Sequence, residues 1–164
     1  MKRNVKLGEI KSMSIEENKK LVEKYPFLIP RNRWTGFIPD DYDYSYTEID
    51  DMPTGWRKAF GLQMCDEIAE ILKKADYLNE YRITQIKEKY GYLRWYDFGV
   101  PESIFTELGL VIAKYEVLSS KICIKCGKPA TKVTLGWIEP YCDECISNNC
   151  KYADIDEYYL ESEK

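Results

Sequence analysis

Apolar residues recur at helical spacing in three stretches of the chain. Residues 14–17 read Ser-Ile-Glu-Glu, which is typical of a capping box and predicts a short helix that ends at about Tyr25, before Pro26. Longer helices are predicted over residues 54–75 and 102–118, because their apolar positions lie three or four residues apart. The residues predicted to face the core are Trp56, Phe60, Met64, Ile68, Ile71 and Leu72 in the first of these helices and Ile104, Leu108, Val111, Ile112, Tyr115 and Leu118 in the second.

Runs of β-forming residues predict two short strands, over residues 81–86 and 92–96, on either side of Gly91. Residues 26–53 carry four prolines and many aromatic residues. Linkers are poor in apolar groups, so we expect the rings of this irregular segment to lie against the body of the domain. Together these elements predict an α+β fold in which helices pack on a small antiparallel sheet.

The cysteine spacing extends this prediction to the last third of the chain. Cys123 and Cys126 form one CxxC pair, and fifteen residues separate it from a second pair, Cys142 and Cys145. Two such turns on neighbouring hairpins bring four thiolates into a tetrahedron, which is the ligand set of a zinc ribbon. A filled four-thiolate site has no open position for water, so the predicted Zn²⁺ is structural.

The predicted organisation has three parts. An α+β body covers residues 1–120 and includes the irregular segment 26–53; a zinc-ribbon-like module over residues 121–150 packs on it; and an acidic tail covers residues 151–164. Two cysteines are left over. Cys65 is predicted to be a buried free thiol on a helix face. Cys150 is predicted to be a bystander near the metal site, and the alternative is a spare metal ligand.

Composition narrows the classes of function. The net charge of −4 and the pI of about 5.1 argue mildly against a general affinity for nucleic acid. The chain has no histidine, which removes the usual general base and favours a non-enzymatic role. No apolar segment follows the basic residues 1–6, and no stretch reaches membrane-spanning length. We therefore expect a cytoplasmic protein without a membrane partner.

Six carboxylates are concentrated within a dozen residues that contain neither Lys nor Arg. This acidic cluster consists of Asp40, Asp41, Asp43, Glu48, Asp50 and Asp51. Carboxylates spaced like phosphates are suited to the basic groove of a nucleic-acid enzyme or to a cation, so the cluster is a candidate protein-binding surface. The alternative is a solvated, turn-rich loop in which the Asp side chains cap turns.

A second candidate surface is basic and aromatic. It is formed by Arg82, Lys87, Lys89, Arg94 and Trp95, with tyrosines between them. On a hairpin, cations of this kind hold phosphates while rings stack on bases, so these residues form a candidate nucleic-acid-binding site. The alternative is an ordinary amphipathic hairpin whose Lys and Glu side chains face water, and Glu88 in its centre favours that alternative.

Residues 85–96 read QIKEKYGYLRWY, and a CxxCG pair, Gly136-Trp137 and the second cysteine pair follow. This arrangement resembles a widespread set of uncharacterised bacterial and phage proteins. Residues 25–36, 42–48 and 55–61 are similar to Gram-positive phage and prophage members of that set. The resemblance implies a bacterial or phage cytoplasmic setting and brings no activity with it.

We therefore expect a non-enzymatic phage or prophage accessory protein, stabilised by structural zinc, that binds a host or phage protein through the acidic cluster. Inhibition of the partner is one such role, by analogy with small acidic phage proteins that inhibit host nucleases. The alternative is a nucleic-acid-binding zinc-ribbon protein that uses residues 82–96.

Overall fold

The computed structural model describes residues 13–163 and has a mixed α+β fold, as predicted. The basic residues 1–6 lie outside the described residues. The helices are α1 (Ile15–Lys24), α2 (Thr54–Trp56), α3 (Leu62–Lys74), α4 (Glu102–Ser119) and α5 (Ile155–Ser162). The strands are β1 (Arg82–Lys89), β2 (Tyr92–Phe98), β3 (Lys132–Thr134), β4 (Pro140–Tyr141) and β5 (Tyr152–Asp154). Of the helices in residues 13–163, none has the length and apolar content that crossing a bilayer requires.

Helix α1 begins at the predicted capping box. The Glu17 N–H donates to Ser14 Oγ at 3.2 Å, and the Ser14 N–H donates to the Glu17 carboxylate at 2.7 Å. These two bonds satisfy two of the four N–H groups that a helix start leaves without partners. The helix ends before Pro26, and it buries Leu21 and Val22 against the core.

The predicted long helix forms as α2 and α3, joined by a π-helical turn at Arg57–Gly61. Apolar residues that recur every four positions shift by about 40° per step around an α-helix, because one turn has 3.6 residues. The wider π turn offsets part of that drift and keeps Trp56 and Phe60 on the same face as the residues of α3. The residues predicted to face the core from this helix are all buried: Trp56, Phe60, Met64, Ile68, Ile71 and Leu72.

Strands β1 and β2 form an antiparallel hairpin. Its two-residue turn is Tyr90-Gly91, with φ angles of 53° and 80°, so both residues are left-handed as a type I′ turn requires. The pairing register shifts between Ile83 and Gln85, which marks a β-bulge. The bulge inserts one extra residue into β1. Each β1 side chain after the bulge therefore lies on the face opposite to the one that regular alternation would give it.

Helix α4 covers the free edge of strand β2. The Leu93 N–H donates to Ser119 Oγ at 2.8 Å, and the Trp95 N–H donates to the Glu116 carboxylate at 3.1 Å. Edge strands with unpaired N–H groups are templates for aggregation, and these bonds remove two such groups. One face of the hairpin packs on the core, and Leu93 and Trp95 are buried there.

The C-terminal module contains a small sheet in the order β4-β3-β5. The predicted acidic tail supplies both β5 and α5. The module joins the body at the start of α2, where the Gly55 N–H donates to the Ile124 carbonyl at 2.9 Å and the Trp56 indole N–H donates to the Ile122 carbonyl at 3.0 Å. A Cβ atom on Gly55 would lie 2.1 Å from the Cys123 carbonyl oxygen, so only glycine permits this approach.

The irregular segment is only partly packed on the body. Phe27, Leu28, Ile49 and Met52 belong to the core. The expectation that its aromatic rings lie against the body is wrong for Trp34, which is 95% exposed, and for Phe37. Both rings sit on a tight turn in which the Gly36 N–H donates to the Asn32 carbonyl at 2.8 Å, and the turn projects them into solvent.

Candidate metal centre and candidate binding surfaces

The four predicted cysteine ligands form one cluster. The sulfur atoms of Cys123, Cys126, Cys142 and Cys145 all lie within 4.8 Å of one another, and the Cys126 and Cys142 sulfurs are 3.6 Å apart. Tetrahedral coordination with zinc–sulfur bonds of about 2.3 Å places the sulfurs about 3.8 Å apart. The cluster therefore fits a single metal ion, and an all-sulfur tetrahedral set favours zinc.

Two backbone turns aim these sulfurs at one point. In the first, the Gly127 N–H donates to the Cys123 carbonyl at 3.0 Å, and in the second the Cys145 N–H donates to the Cys142 carbonyl at 3.1 Å. Gly127 has a φ of 83°, which a residue with a Cβ atom adopts only under strain. A Cβ atom there would also lie 2.7 Å from the Gly55 carbonyl oxygen. The first turn and helix α2 can thus approach this closely only because Gly55 and Gly127 have no Cβ atom.

The polypeptide backbone favours thiolate at the most buried ligand. Burial raises the pKa of the Cys123 thiol, but hydrogen bonds from the N–H groups of Cys142, Cys126 and Lys125 outweigh burial and lower that pKa to about 7. Thiolate is the form that binds metal. Nearby, the Lys128 ammonium donates to the Glu144 carboxylate at 2.7 Å and links the two turns at the surface.

The remaining cysteines lie outside this cluster. Cys65 is fully buried on α3, as predicted. The Cys150 thiol donates to the Ser147 carbonyl at 3.0 Å instead of pointing at the other sulfurs.

The six carboxylates of the acidic cluster occupy different environments. Asp40, Asp41, Asp43 and Asp51 are exposed. Asp43 accepts a hydrogen bond from the Ser45 N–H at 3.0 Å, and hydrogen bonds from Ser45 lower the pKa of its carboxyl group. Asp43 is therefore the acceptor of a local turn as well as a surface charge.

Asp50 has a structural role within the protein. Its carboxylate accepts from the Thr47 N–H at 2.7 Å and forms a largely buried salt bridge with the Arg57 guanidinium at 2.8 Å. The Arg57 side chain thus places a positive charge beside a cluster whose own segment contains neither Lys nor Arg. Glu48 is also atypical, because burial and then the neighbouring Asp51 carboxylate raise the pKa of Glu48 to about 7. The charge presented to solvent is thus smaller than six.

Replacing Glu48 with Gln should stabilise the protein at pH 8 and change little at pH 4. The pKa of Glu48 is raised in the folded chain from its usual value near 4.5 to about 7, so the folded chain retains the proton more strongly. Stability then falls as pH rises through this window, and Gln escapes that loss. The thermal midpoint at pH 8 should rise by about 2–4 °C.

The exposed Asp40→Asn variant is the matched control, and its midpoint should equal that of the wild type at both pH values. An equal shift of the Glu48→Gln midpoint at pH 4 and pH 8 would contradict the raised pKa.

The basic residues of the hairpin share one face. Arg82, Lys87 and Lys89 on β1 pair directly with Phe98, Arg94 and Tyr92 on β2, in that order. Residues directly opposite each other in an antiparallel pair point to the same side. The bulge is essential to this arrangement, because regular alternation from Arg82 would turn Lys87 and Lys89 towards the core. We call this side the outer face of the hairpin.

Each of the four cations on the outer face lies over an aromatic ring. The four pairs, with the distance from the cation to the ring centroid, are Arg82 over Phe98 (4.9 Å), Lys87 over Tyr96 (5.5 Å), Arg94 over Tyr92 (5.5 Å) and Lys89 over Tyr90 (5.7 Å). The two acidic residues of the strands point the other way. Glu88 accepts from the Gly91 N–H, and Asp97 accepts from the Tyr81 hydroxyl.

The structure places the remaining candidate, Trp95, on the buried face. Its indole N–H donates to the Tyr81 hydroxyl oxygen at 3.0 Å, so Trp95 is not a surface for stacking. Phe98, which is 59% exposed, joins the outer face instead. Sequence reasoning missed Phe98 because the second strand was predicted to end at Tyr96. Extending the alternation of the second strand by two residues, from Tyr96 to Phe98, would have identified this side chain.

No protein-family model, curated protein or solved structure matches this chain. The similarity to bacterial and phage proteins therefore stays a prediction. The fold and the site define a mixed α+β protein with a C-terminal, zinc-ribbon-like module built around four clustered cysteines.

Proposed function

We propose that the protein binds single-stranded nucleic acid through the outer face of the β1–β2 hairpin, with structural zinc supporting the surface. One observation carries the proposal: four cations lie at the exposed side of one hairpin, and each lies over a ring. Proteins that bind single strands combine a positively charged track for the backbone with rings on which bases stack.

The local charge outweighs the net charge of the chain at this surface. Alternate residues of a strand lie about 7 Å apart, so Lys87 and Lys89 form a regular row of cations. The Arg94 guanidinium is 3.8 Å from the Glu116 carboxylate, a loose pair that leaves guanidinium N–H donors free for other partners. Phosphate attraction acts over about a Debye length, roughly 8 Å at physiological salt, so distant carboxylates on the body weaken it little.

The rings supply the second component of the site. Phe98, Tyr96 and Tyr90 are among the exposed large aromatic residues of the protein. Stacking of a base on an aromatic side chain contributes about 1–3 kcal/mol and tolerates any base. We therefore expect binding with little sequence preference, and we expect it to single strands because a duplex hides its base faces.

The metal module supports the turn of the hairpin. Ile138 packs on Gly91, where a Cβ atom would lie 3.2 Å from the Ile138 side chain, and the Tyr159 ring of α5 lies 6.2 Å from the Tyr92 ring. Zinc bound by Cys123, Cys126, Cys142 and Cys145 would fix this module, and through it the position of the basic face.

Removing three of the four hairpin cations should strongly weaken binding. In the triple variant Lys87→Ala, Lys89→Ala, Arg94→Ala, we expect the affinity for a labelled single-stranded oligonucleotide at low salt to fall at least about tenfold, because each lost cation removes a phosphate contact. The measurement is fluorescence anisotropy on the zinc-loaded chain.

The matched control removes three exposed cations from another surface, as Lys58→Ala, Lys73→Ala, Lys74→Ala. Both variants lose the same charge, so general electrostatics affects them alike. Equal loss of affinity in the two variants would contradict a specific role of the hairpin, and so would failure of the wild type to bind.

A second candidate is the predicted binding of a host or phage protein in a bacterial cytoplasm. The observation that favours it is the exposure of Trp34 and Phe37 directly before Asp40 and Asp41. Protein interfaces are enriched in such aromatic anchors beside charged rims. A variant combining Trp34→Ala with Asp40→Asn and Asp41→Asn should lose a protein partner and keep nucleic-acid binding, whereas the hairpin variant should do the reverse.

A further inference from the structure

The tight turn at residues 32–37 lies against one end of the outer face of the hairpin. Gly36 of this turn is buried, and a Cβ atom there would lie 2.1 Å from Arg82 Nη1 and 3.0 Å from Arg82 Cζ. The same guanidinium lies over the Phe98 ring, with its Cζ atom 4.9 Å from the ring centroid. Arg82 is therefore a common neighbour of Gly36 and Phe98, and the turn and the outer face form one continuous surface.

Hydrogen bonds fix the backbone of the turn. The Asn32 side-chain oxygen accepts from the Trp34 N–H at 2.9 Å, and the Asn32 N–H donates to the Phe37 carbonyl at 2.9 Å. The Arg31 guanidinium donates to the Gly36 carbonyl at 3.3 Å. The backbone from which the rings project is thus ordered before a ligand binds, which lowers the entropic cost of binding.

Two large rings project from this turn into solvent. Trp34 is 95% exposed and Phe37 is 74% exposed, so both faces of the Trp34 ring are open to a ligand. Exposed apolar groups that lie together on a surface mark sites of interaction. The other exposed tryptophan, Trp137, differs because its indole N–H donates to the Glu139 carboxylate at 2.9 Å, which places a negative charge beside that ring.

The charges near the turn decide which part of a single strand it can bind. Arg33 of the turn lies near the Glu48 carboxylate. Asp40 and Asp41 follow the turn, so the row of phosphate-binding cations ends at Arg82. A base carries no charge and stacks on any aromatic ring. The turn is therefore suited to the bases of a strand and not to its phosphates.

We propose that Trp34 and Phe37 are base-stacking residues that extend the nucleic-acid site beyond the hairpin. A strand whose phosphates follow the cations of the outer face passes Phe98 and places its next bases on these two rings. The extension rests on the proposed binding of single strands. The protein-binding candidate assigns the same turn to a different partner, so the two assignments predict opposite effects of Trp34→Ala on nucleic-acid affinity.

Fluorescence anisotropy of the zinc-loaded full chain with a labelled oligothymidine of about twelve nucleotides tests the extension. Trp34→Ala and Phe37→Ala should each lower the affinity at least about fivefold, the lower limit for one stacked base. The loss should be the same at every salt concentration, because stacking releases no counterions, so the salt slope should equal that of the wild type. Trp34→Phe keeps a ring and should retain most of the affinity.

Trp137→Ala is the matched control, because it removes an exposed tryptophan that has a carboxylate beside it, and it should bind like the wild type. Unchanged affinity in both Trp34→Ala and Phe37→Ala would overturn the extension, leave the hairpin site in place and favour a protein partner for the turn. An equal loss in Trp137→Ala would also overturn it. Absence of binding by the wild type would contradict the proposed function itself, and the extension with it.

Discussion

Cys142→Ser should remove the bound zinc and unfold the C-terminal module. The wild type is expected to carry one zinc ion per chain, bound by Cys123, Cys126, Cys142 and Cys145, whose sulfurs lie within 4.8 Å of one another. Structural zinc contributes on the order of 10 kcal/mol of folding free energy, because the site does not exist in the unfolded chain. That is comparable to the whole stability of a typical domain.

Elemental analysis and thermal unfolding check this result. Cys150→Ser is the control, since the Cys150 thiol points at the Ser147 carbonyl, and this variant should keep its zinc and its midpoint. Wild-type protein that contains no metal after purification under reducing conditions would refute the metal site. Iron in place of zinc would keep the site and change the metal.

The second large effect is expected from Gly55→Ala. The added Cβ atom would lie 2.1 Å from the Cys123 carbonyl oxygen and 2.6 Å from the Ile124 carbonyl carbon. Backbone atoms of the metal turn cannot rotate away as a side chain does, so α2 and the turn must separate. We expect a loss of at least about 3 kcal/mol, the upper end of the cost of overpacking, together with a weaker affinity for zinc.

Gly109→Ala is the matched control for this substitution. Both glycines are helical, but a Cβ atom on Gly109 meets nothing within 4 Å. The helix propensity of Ala should therefore stabilise this variant by up to about 1 kcal/mol. Urea unfolding compares the two variants with the wild type. A loss of unfolding free energy in Gly55→Ala together with a gain in Gly109→Ala would support the close approach at Gly55. Changes of the same sign in both variants would contradict it.

Features with a local cause could be predicted from the sequence. The capping box at Ser14 sets the start of α1, and the regular spacing of apolar residues gives α4 to within one residue of its end at Ser119. The cysteine spacing predicts the metal cluster for the same reason, because each CxxC turn is a local structure.

Features that depend on distant contacts could not be predicted in this way. The sequence of α2 does not reveal that Gly55 meets the metal turn, because Cys123 lies 68 residues further along the chain. Strand β5 is formed by an acidic, exposed segment, and only pairing with β3 makes Tyr152–Asp154 a strand. The bulge at Ile83 likewise depends on the register with β2, yet it decides which face Lys87 occupies.

The salt dependence of oligonucleotide binding tests the proposed function most directly. Each cation that neutralises a phosphate of a single strand contributes about −0.7 to the slope of log affinity against log salt. The four cations of the hairpin therefore predict a slope of about −3 for the wild type, and the loss of Lys87, Lys89 and Arg94 should reduce it to about −1. A wild-type slope near zero, or an equal slope in the hairpin variant, would contradict binding through this surface.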